Sequence, residues 1–284
     1  MAPRRPRRTR VEGALAQVQG ALGVIPSASG AFLYQACDGV QIDPATLAGE
    51  TAANGVPIPA LLTALRQAIG VPEHTQYLHW GATSQDIMDT ALALRLRRVL
   101  DLWEQRLTAL LAALAALAES HADLPMAART FGQIATPTTF GAMAASWGWP
   151  LLAHQGGLQA ARRAVLRVSL SGAAGTLSAM GPLGPRVRAE LATELGLADP
   201  GHGWHADRSG IAQLAGWMAG LAGTLGKLGE DLILLSQSGI AEVRIAGDSA
   251  SGPSVSRAPA AITRSEPAIC QPAGRSPKIG MERR

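Results

Sequence analysis

The sequence predicts an all-α protein, an elongated bundle of long helices preceded by a small helical region. Composition is the first reason, because 47% of the residues are hydrophobic but only 4% are aromatic, and strands are usually filled by aromatic and β-branched side chains. The second reason is periodicity, since apolar residues recur at spacings of three and four over residues 85–122 and 211–243. Polar segments containing proline and glycine separate these stretches, as expected where helices end.

The net charge of +4 is unevenly distributed along the chain. Residues 1–10 contain five arginines and no acid, and residues 249–284 contain six lysines or arginines and two glutamates, so residues 11–248 carry a net charge of −5. A nucleic-acid-binding protein would instead carry a basic stripe on its folded part. We therefore expect no nucleic-acid partner.

Neither a secretory signal nor a membrane span is expected. No apolar run follows the N-terminal arginines. The uncharged run at residues 211–226 contains polar residues and several glycines, and it is too short to span a bilayer. The two cysteines, Cys37 and Cys270, are too few for a disulfide framework. The sequence therefore predicts a cytoplasmic protein.

The N-terminal region is predicted to contain a tail and several short helices. Residues 1–10 are rich in arginine and proline, so we expect a disordered tail, with a targeting or nucleic-acid-binding tail as the alternative. Apolar spacing predicts helices over residues 11–22 and 60–69 and one or two short helices over residues 32–50. An Asn-Gly pair followed by prolines predicts a turn at residues 54–59.

A polar turn at residues 79–86, with the sequence HWGATSQD, precedes the first long helix. Thr83 and Asp86 have the spacing of a capping box, in which two side chains satisfy free N–H groups at a helix start. Such a start suits a carboxylate or phosphate because it has exposed donors and partial positive charge. An ordinary cap is the alternative reading, and the neighbouring histidine, tryptophan and glutamine favour an anion site.

The first long helix is predicted over residues 85–122, where the charged positions are expected to form a solvated face. Residues 129–141, with the sequence RTFGQIATPTTFG, are predicted to be a polar loop before the second long helix at residues 138–170. Arg129 in this loop could bind a second carboxylate through both of its terminal nitrogens. An arginine on the protein surface without a ligand is the alternative.

The remaining segments alternate between turns and helices. Residues 171–177, with the sequence SGAAGTL, are predicted to be a turn; a phosphate-binding loop is disfavoured because the Gly-Lys-Ser/Thr ending and the preceding strand are missing. A short helix is predicted over residues 185–195 and the third long helix over 211–243. His205 and Arg208 precede that third helix. No spacing of Cys and His suggests a metal site.

Several of these segments resemble one known family. Residues 79–90, HWGATSQDIMDT, resemble the first signature of the fumarase/aspartase superfamily, in a form similar to the 3-carboxy-cis,cis-muconate cycloisomerases. Residues 129–141 resemble the second signature. Phe131 occupies the position where several lyases carry a catalytic histidine, and a bulky aromatic there is typical of the muconate cycloisomerases and argues against adenylosuccinate or argininosuccinate lyase. The resemblance extends over residues 11–248.

The resemblance implies a fumarase/aspartase-like fold with a site for a small polycarboxylate, and it implies no cofactor and no metal. The implied reaction, in protocatechuate degradation, is the addition of a carboxylate of 3-carboxy-cis,cis-muconate across a double bond to close a lactone, or the reverse β-elimination. Sites of this superfamily form between the subunits of a tetramer, so a homo-oligomer is expected. The expected substrate-binding residues are His79, Thr83, Ser84, Gln85, Arg129, Thr130, Gln133, His205 and Arg208.

The character of the sequence changes near residue 249, where helical spacing gives way to proline, serine, arginine and glycine. The superfamily has its third signature here, a mobile loop whose serine removes the proton, and no such motif occurs in this sequence. We therefore expect a frameshift or a degraded gene near Gly247, no assignable catalytic residue and a missing C-terminal part. The predicted organisation is a disordered basic tail at 1–10, a partial N-terminal helical domain at 11–80, a central long-helix domain at 81–248 and a non-homologous disordered tail at 249–284.

Three functional hypotheses follow from the sequence. The first is a cycloisomerase that uses a substitute base. The second is an inactive helical remnant or assembly partner that keeps the bundle but has lost the base. The third is a related C–N lyase, similar to adenylosuccinate lyase, that acts on a succinyl substrate; Phe131 weighs against it.

Overall fold

The computed structural model describes residues 7–244 and 271–272. These residues are mainly helical, which confirms the predicted all-α class. No helix among them combines the length and apolar character that a membrane crossing requires. The helices are α1 Arg7–Ala21, α2 Ser27–Gly39, α3 Ala48–Asn54, α4 Ile58–Ile69, α5 Pro72–Thr75, α6 Ser84–Ser120, α7 Phe140–Val165, α8 Gly184–Leu195 and α9 Ser209–Leu235. The strands are β1 Pro125–Thr130, β2 Gln133–Thr139, β3 Val243–Arg244 and β4 Gln271–Pro272, and 3₁₀ turns span Pro44–Leu47 and Ser178–Leu183.

The described chain divides into two compact units. Unit 1 contains residues up to 103 together with 158–215, and unit 2 contains residues 104–157 together with the part from 216 onwards. Each unit therefore combines separate segments of the chain, because α6, α7 and α9 each contribute residues to both units. The domain boundary predicted at residue 80 instead divides the chain into consecutive stretches, and it remains a prediction.

Helix α1 packs against α2 and α8 in the core of unit 1. It begins at Arg7, four residues before the predicted start, so residues 7–10 are helical and do not belong to the predicted disordered tail. Arginine is a good helix former, and Thr9 is buried with 1% of its surface exposed, so burial holds this first turn in place. The rest of the predicted tail, residues 1–6, lies outside the described part.

The crossing of α1 and α2 depends on two glycines. A Cβ atom placed on Gly30 of α2 would lie 2.6 Å from the carbonyl oxygen of Ala16 and 2.9 Å from the Cα of Gly20, both in α1. These are backbone atoms that cannot rotate away. Only a residue without a side chain at position 30 allows the two helices to approach this closely.

The other helices of unit 1 lie near their predicted positions, with shifted ends. Helices α2 and α3 correspond to the short helices expected over residues 32–50, but α2 begins five residues earlier and α3 ends four residues later. Helix α4, expected over residues 60–69, begins at Ile58, so the predicted turn at 54–59 is shorter than expected. Helix α8 ends at Gly196, which has the left-handed conformation (φ 63°) that glycine adopts readily at the end of a helix. The first long helix, predicted over 85–122, is α6.

Unit 2 contains a β-hairpin where the sequence predicted a polar loop. Strands β1 and β2 pair antiparallel and are joined by Phe131 and Gly132. Both joining residues have positive φ, 49° and 73°, as the central residues of a tight two-residue hairpin turn require. Three threonines and an isoleucine in β2 favour the extended conformation. The loop prediction was wrong because this turn was not recognised.

The ends of α7 and α9 also differ from the prediction. Helix α7 spans Phe140–Val165 instead of 138–170, because residue 139 still belongs to β2 and residues beyond 165 form a parallel bridge, Arg167 with Ala198. Helix α9 ends at Leu235, eight residues early, where two serines and Gly239 follow and are poor helix formers. The predicted tail at 249–284 lies outside the described residues except for β4.

We predict that Gly30→Ala destabilises unit 1 by about 1–3 kcal/mol, because the added methyl group forces α1 and α2 apart. Gly39→Ala, at the other end of α2, is the matched control, since no atom lies within 4 Å of its added Cβ. Urea unfolding followed by circular dichroism measures both variants. Equal stability of the two variants would contradict the close crossing.

We predict that Cys37 in the native protein resists alkylation at pH 8. Burial, and to a smaller extent the nearby charge of Glu12, raise the pKa of the Cys37 thiol to about 12. Only the thiolate reacts, and it makes up roughly 10⁻⁴ of the molecules at pH 8 for that pKa. Iodoacetamide labelling of a Cys270→Ser variant, read by mass spectrometry, should show labelling in urea but almost none without it. Rapid labelling of the native chain would refute the prediction.

Candidate functional site

The polar turn before α6 is capped as the sequence predicted. The backbone N–H of Thr83 donates to Oδ2 of Asp86 at 3.1 Å, which is the acidic half of a capping box. The backbone N–H groups of Ser84 and Gln85 follow in the first turn of the helix, where no carbonyl of the same helix is available as an acceptor. These donors carry the partial positive charge of the helix start.

Asp86 also connects α6 to the segment that follows α7. Its carboxylate has no exposed surface. Its oxygens accept hydrogen bonds from the Ser169 hydroxyl at 3.2 Å, from the Ser171 hydroxyl at 3.2 Å, from the Ser171 N–H at 3.1 Å and from the Gly172 N–H at 2.9 Å. With the bond from Thr83, five donors compensate for the removal of this charge from water.

A glycine lets this second segment reach Asp86. Gly172 has a φ of 72°, and a Cβ placed on it would lie 3.1 Å from the carbonyl oxygen of Gly81. Gly81 itself has a φ of 68° and faces Met180, whose side chain would lie 3.0 Å from an added Cβ. The turn before α6 and the turn after α7 therefore pack directly against one another within unit 1.

His205 is joined to Asp86 through one hydroxyl group. The Oγ of Ser171 lies 2.6 Å from Nδ1 of His205 and 3.2 Å from Oδ1 of Asp86. A hydroxyl has a single proton to donate, and a carboxylate accepts only. Donation to the charged carboxylate gives the stronger bond. In this arrangement Nδ1 of His205 carries a proton and donates it to Ser171, which leaves Nε2 as the nitrogen that can accept a proton when the ring is neutral.

Arg208 is held by a second buried acid. Its two terminal nitrogens donate to the carboxylate of Asp89 at 2.7 and 3.0 Å, and Asp89 is almost fully buried while 44% of the Arg208 side chain is exposed. These hydrogen bonds raise the pKa of Arg208 above its usual value. Its guanidinium also lies 5.5 Å from the ring of Trp204, a cation–π contact that fixes its plane.

His79 is held by a third buried acid. Its Nδ1 lies 2.8 Å from Oε1 of Glu12 in α1, which has no exposed surface. Gln19, two helical turns after Glu12 on the same face of α1, donates to the carbonyl oxygen of Trp80 at 2.7 Å. His79 has a positive φ of 66°, which is unusual for a residue with a side chain. Two buried polar side chains of α1, Glu12 and Gln19, therefore hold the turn at residues 79–86 in place.

The second group of predicted residues lies in unit 2. Arg129 in β1 donates to both carboxylate oxygens of Glu242, at 2.5 and 2.9 Å, and these bonds raise the pKa of Arg129 above its usual value. Its guanidinium fork is thus already paired. Thr130 and Gln133 flank the hairpin turn and are exposed. At the tip, Phe131 is fully exposed.

The nine predicted residues thus fall into two sets. Unit 1 contains His79, Thr83, Ser84, Gln85, His205 and Arg208, and unit 2 contains Arg129, Thr130 and Gln133. Ser84 and Gln85 are half-buried, and their side chains form no hydrogen bond with any residue that the structure describes. Their polar groups are therefore available to a ligand.

Sequence reasoning missed the acids that hold these residues. Glu12, Asp89 and Glu242 were not singled out, nor was Ser171 as a link to His205. One signal was present for Glu12, which lies in the same turns of α1 as the buried Val11 and Leu15 and so breaks an otherwise apolar face. No comparable signal marks Glu242, because its partner lies 113 residues away. Among the described residues no cluster of His, Cys, Asp and Glu could hold a metal ion.

Comparisons with known proteins identify relatives of this chain. A family model described as lyase matches residues 9–255. The 3-carboxy-cis,cis-muconate cycloisomerase of Pseudomonas aeruginosa is 43% identical over 234 residues, which are 82% of this chain and 51% of the relative. The nitrosuccinate lyase of Streptomyces davaonensis is 36% identical over 82% of this chain and 51% of its own length. The crystal structure of the 3-carboxy-cis,cis-muconate lactonizing enzyme from Pseudomonas putida matches with a TM-score of 0.82 and 38% identity, covering 85% of this chain and 55% of that one.

We predict that Ser171→Ala changes the tautomer of His205. In the wild type, neutral His205 should carry its proton on Nδ1, and without the hydroxyl the ring should revert to the Nε2–H form that predominates in free histidine. Long-range ¹H–¹⁵N spectra of histidine-labelled protein distinguish the two forms, with His205→Gln assigning the signal. Ser169→Ala is the matched control, because it removes another hydroxyl donor to Asp86 without touching His205. The same tautomer in wild type and Ser171→Ala would contradict the relay.

Proposed function

This chain belongs to the fumarase/aspartase superfamily of lyases, and from that membership we propose that it acts on a small polycarboxylate as a 3-carboxy-cis,cis-muconate cycloisomerase does. The proposed reaction adds a carboxylate across a carbon–carbon double bond to close a lactone, or reverses this by β-elimination. The chain spans about half the length of the curated relatives it matches. The activity, the substrate and the assembly of the whole protein are therefore parts of the proposal.

One observation carries the proposal: His79, His205 and Arg208 in unit 1 are each positioned by a buried acid, and we call these residues together with their acids and the turn at residues 83–86 the polar cluster. Glu12 holds His79 directly, Asp86 holds His205 through Ser171, and Asp89 holds Arg208. Groups held this way need little reorganisation when charge develops on a bound molecule, which is the basis of electrostatic catalysis. An ion pair that only stabilises the protein surface would not require a fully buried acid.

Each direction of the proposed reaction passes through an enolate-like carboxylate that needs fixed donors around it. We assign the start of α6 to one substrate carboxylate, with donors from the Ser84 and Gln85 backbone and from the Thr83 side chain. Arg208 supplies positive charge, because its edge beyond Asp89 is exposed. His205 presents Nε2, which can accept a proton when the ring is neutral.

Arg129 has a conditional role in this proposal. Its fork is occupied by Glu242, so a substrate carboxylate can bind there only by replacing that acid. Both partners are partly exposed, so such an exchange costs little compared with breaking a buried pair. Thr130 and Gln133, exposed on the same hairpin, complete this proposed second carboxylate site.

We also propose a homo-oligomer, a tetramer as the superfamily resemblance implies. The hairpin of unit 2 exposes Phe131 fully and Ile134 by 77%. Two exposed large apolar side chains on one short hairpin form a patch that a second copy of the chain would cover. We further propose that the protein acts in the cytoplasm and binds neither nucleic acid nor a membrane.

Two alternatives keep specific support. The first is an inactive helical remnant or assembly partner, which is favoured by the lack of the superfamily's catalytic serine loop in residues 249–284. The second is a C–N lyase, because a relative named nitrosuccinate lyase is 36% identical. Phe131, in the position where several lyases carry histidine, weighs against the second alternative.

We predict that the purified chain slowly removes the ultraviolet absorbance of 3-carboxy-cis,cis-muconate, and that Arg208→Gln lowers kcat/KM by about 100-fold, because one fixed positive charge is lost near the developing enolate. Arg186→Gln, an exposed arginine of α8, is the matched control and should retain full activity. Circular dichroism checks that both variants fold.

The outcomes separate the hypotheses. No turnover by a folded wild-type chain, together with an oligomer in light scattering, would support the remnant or assembly partner. Turnover of a succinyl amine in place of the muconate would support the C–N lyase. Equal activity of Arg208→Gln and Arg186→Gln would exclude the assigned role of the cluster in unit 1.

A further inference from the structure

A second concave site lies in unit 1 and shares no residue with the polar cluster described above. Its volume is about 1290 Å³, and its walls come from α1, α2, α4, α6 and the segment around the 3₁₀ turn at Pro44–Leu47. Five arginines line it, and we call it the arginine cleft: Arg8, Arg10, Arg95, Arg97 and Arg98. The sequence predicted a solvated face for Arg95, Arg97 and Arg98 of α6. In the structure Arg95 and Arg98 are exposed and Arg97 is half-buried, and all three border this cleft together with two arginines of α1.

The positive charge of the arginine cleft is not neutralised by the described part of the chain. Arg8, Arg10, Arg95 and Arg98 form no ion pair with any described acid. Asp38 is the single acid in the described lining, so the arginines outnumber the acids five to one. A cleft lined by charges of one sign concentrates the electric field and attracts ions of the opposite sign.

Two of these arginines, the half-buried Arg8 and the exposed Arg95, repel each other. Arg8 is half-buried, and its pKa is lowered first by that burial and then by the neighbouring charge of Arg95. A second positive charge beside a half-buried guanidinium is unfavourable. A bound anion would attract both guanidinium groups and so offset their mutual repulsion.

The cleft also has a fixed charge and an apolar floor. Arg97 donates through one terminal nitrogen to the carbonyl oxygens of Leu195 and Gly196 at 3.0 and 2.9 Å, so its guanidinium is immobilised without being neutralised. Leu61, Ala91 and Leu94 line the floor and are buried. A ligand matched to this lining has acidic groups at its edge and a carbon skeleton beneath them.

We propose that the arginine cleft binds a small organic polyanion, a molecule with at least two carboxylate or phosphate groups on a carbon skeleton. The planar guanidinium fork matches both of these groups. The volume is far larger than one inorganic anion needs and lies above the usual range for pockets that bind small molecules, roughly 300–1,000 Å³. Ordinary solvated arginines are the competing explanation, and they would bind such anions weakly and without saturation.

The test compares two probes by calorimetry at low salt: propane-1,2,3-tricarboxylate for the carboxylate source and pyrophosphate for the phosphate source. The double variant Arg8→Gln with Arg95→Gln removes two charges from the cleft. The control double variant, Arg163→Gln with Arg186→Gln, removes two exposed charges of unit 1 outside it. We expect saturable binding to the wild type and the control, about tenfold weaker binding to the cleft variant, and weakening with added salt. The probe that binds more tightly identifies the source.

Thermal unfolding provides a second readout that loss of structure would not imitate. Without a probe, Arg95→Gln should raise the Tm, because it relieves the repulsion with Arg8. With a probe, the same variant should show a smaller Tm increase than the wild type. Absence of saturable binding of both probes to the wild type, or equal weakening in the two double variants, would overturn the proposal. Arg208→Gln should leave binding at the cleft unchanged, so failure here is distinguishable from failure of the proposed function.

Discussion

The buried carboxylate of Asp86 is the interaction on which the rest of the polar cluster depends. A charge without contact with water is costly unless its oxygens are fully paired, and here every donor comes from a turn that must be correctly folded. Thr83 at the start of α6 and the segment Ser169–Gly172 after α7 are separated by more than eighty residues in the chain. One side chain thus requires both segments to be in place at once, and His205 takes its orientation from the result.

Buried acids hold His79 and Arg208 in the same way, and these contacts show which parts of the structure the sequence could predict. Helix periodicity and the Thr83–Asp86 spacing depend on residues close in the chain, so the long helices, α4, α8 and the cap were predictable. The pairing of Glu12 with His79 and of Asp89 with Arg208 depends on tertiary contact over 67 and 119 residues. No pattern among neighbouring residues of the sequence reveals a contact between residues so far apart in the chain. The resemblance of the motifs pointed to the exposed partners and left their buried acids unidentified.

The hairpin of unit 2 is the element that the sequence predicted least well. Its sequence combines proline, threonines and a Phe-Gly pair, a composition that predicts a loop, whereas the structure forms two strands. The end of α9 at Leu235 likewise has no clear signal in the spacing of apolar residues. Positive φ at Phe131 is uncommon for an aromatic residue, so residue preference alone gave little reason to expect that turn. The pairing of Arg129 with Glu242 is equally non-local. The sequence-based prediction failed where the structure depends on pairing between strands and between charges distant in the chain.

The division of each unit between separate segments has a consequence for biosynthesis. Residues up to 103 cannot complete unit 1 until residues 158–215 have left the ribosome, because the partners of Asp86 and Asp89 lie in that later segment. During that interval the acids and the apolar face of α6 remain open to solvent and to chaperones. Translation speed across the 54 intervening codons, those of residues 104–157, should therefore influence the yield of soluble chain more than it would in a protein whose units are continuous.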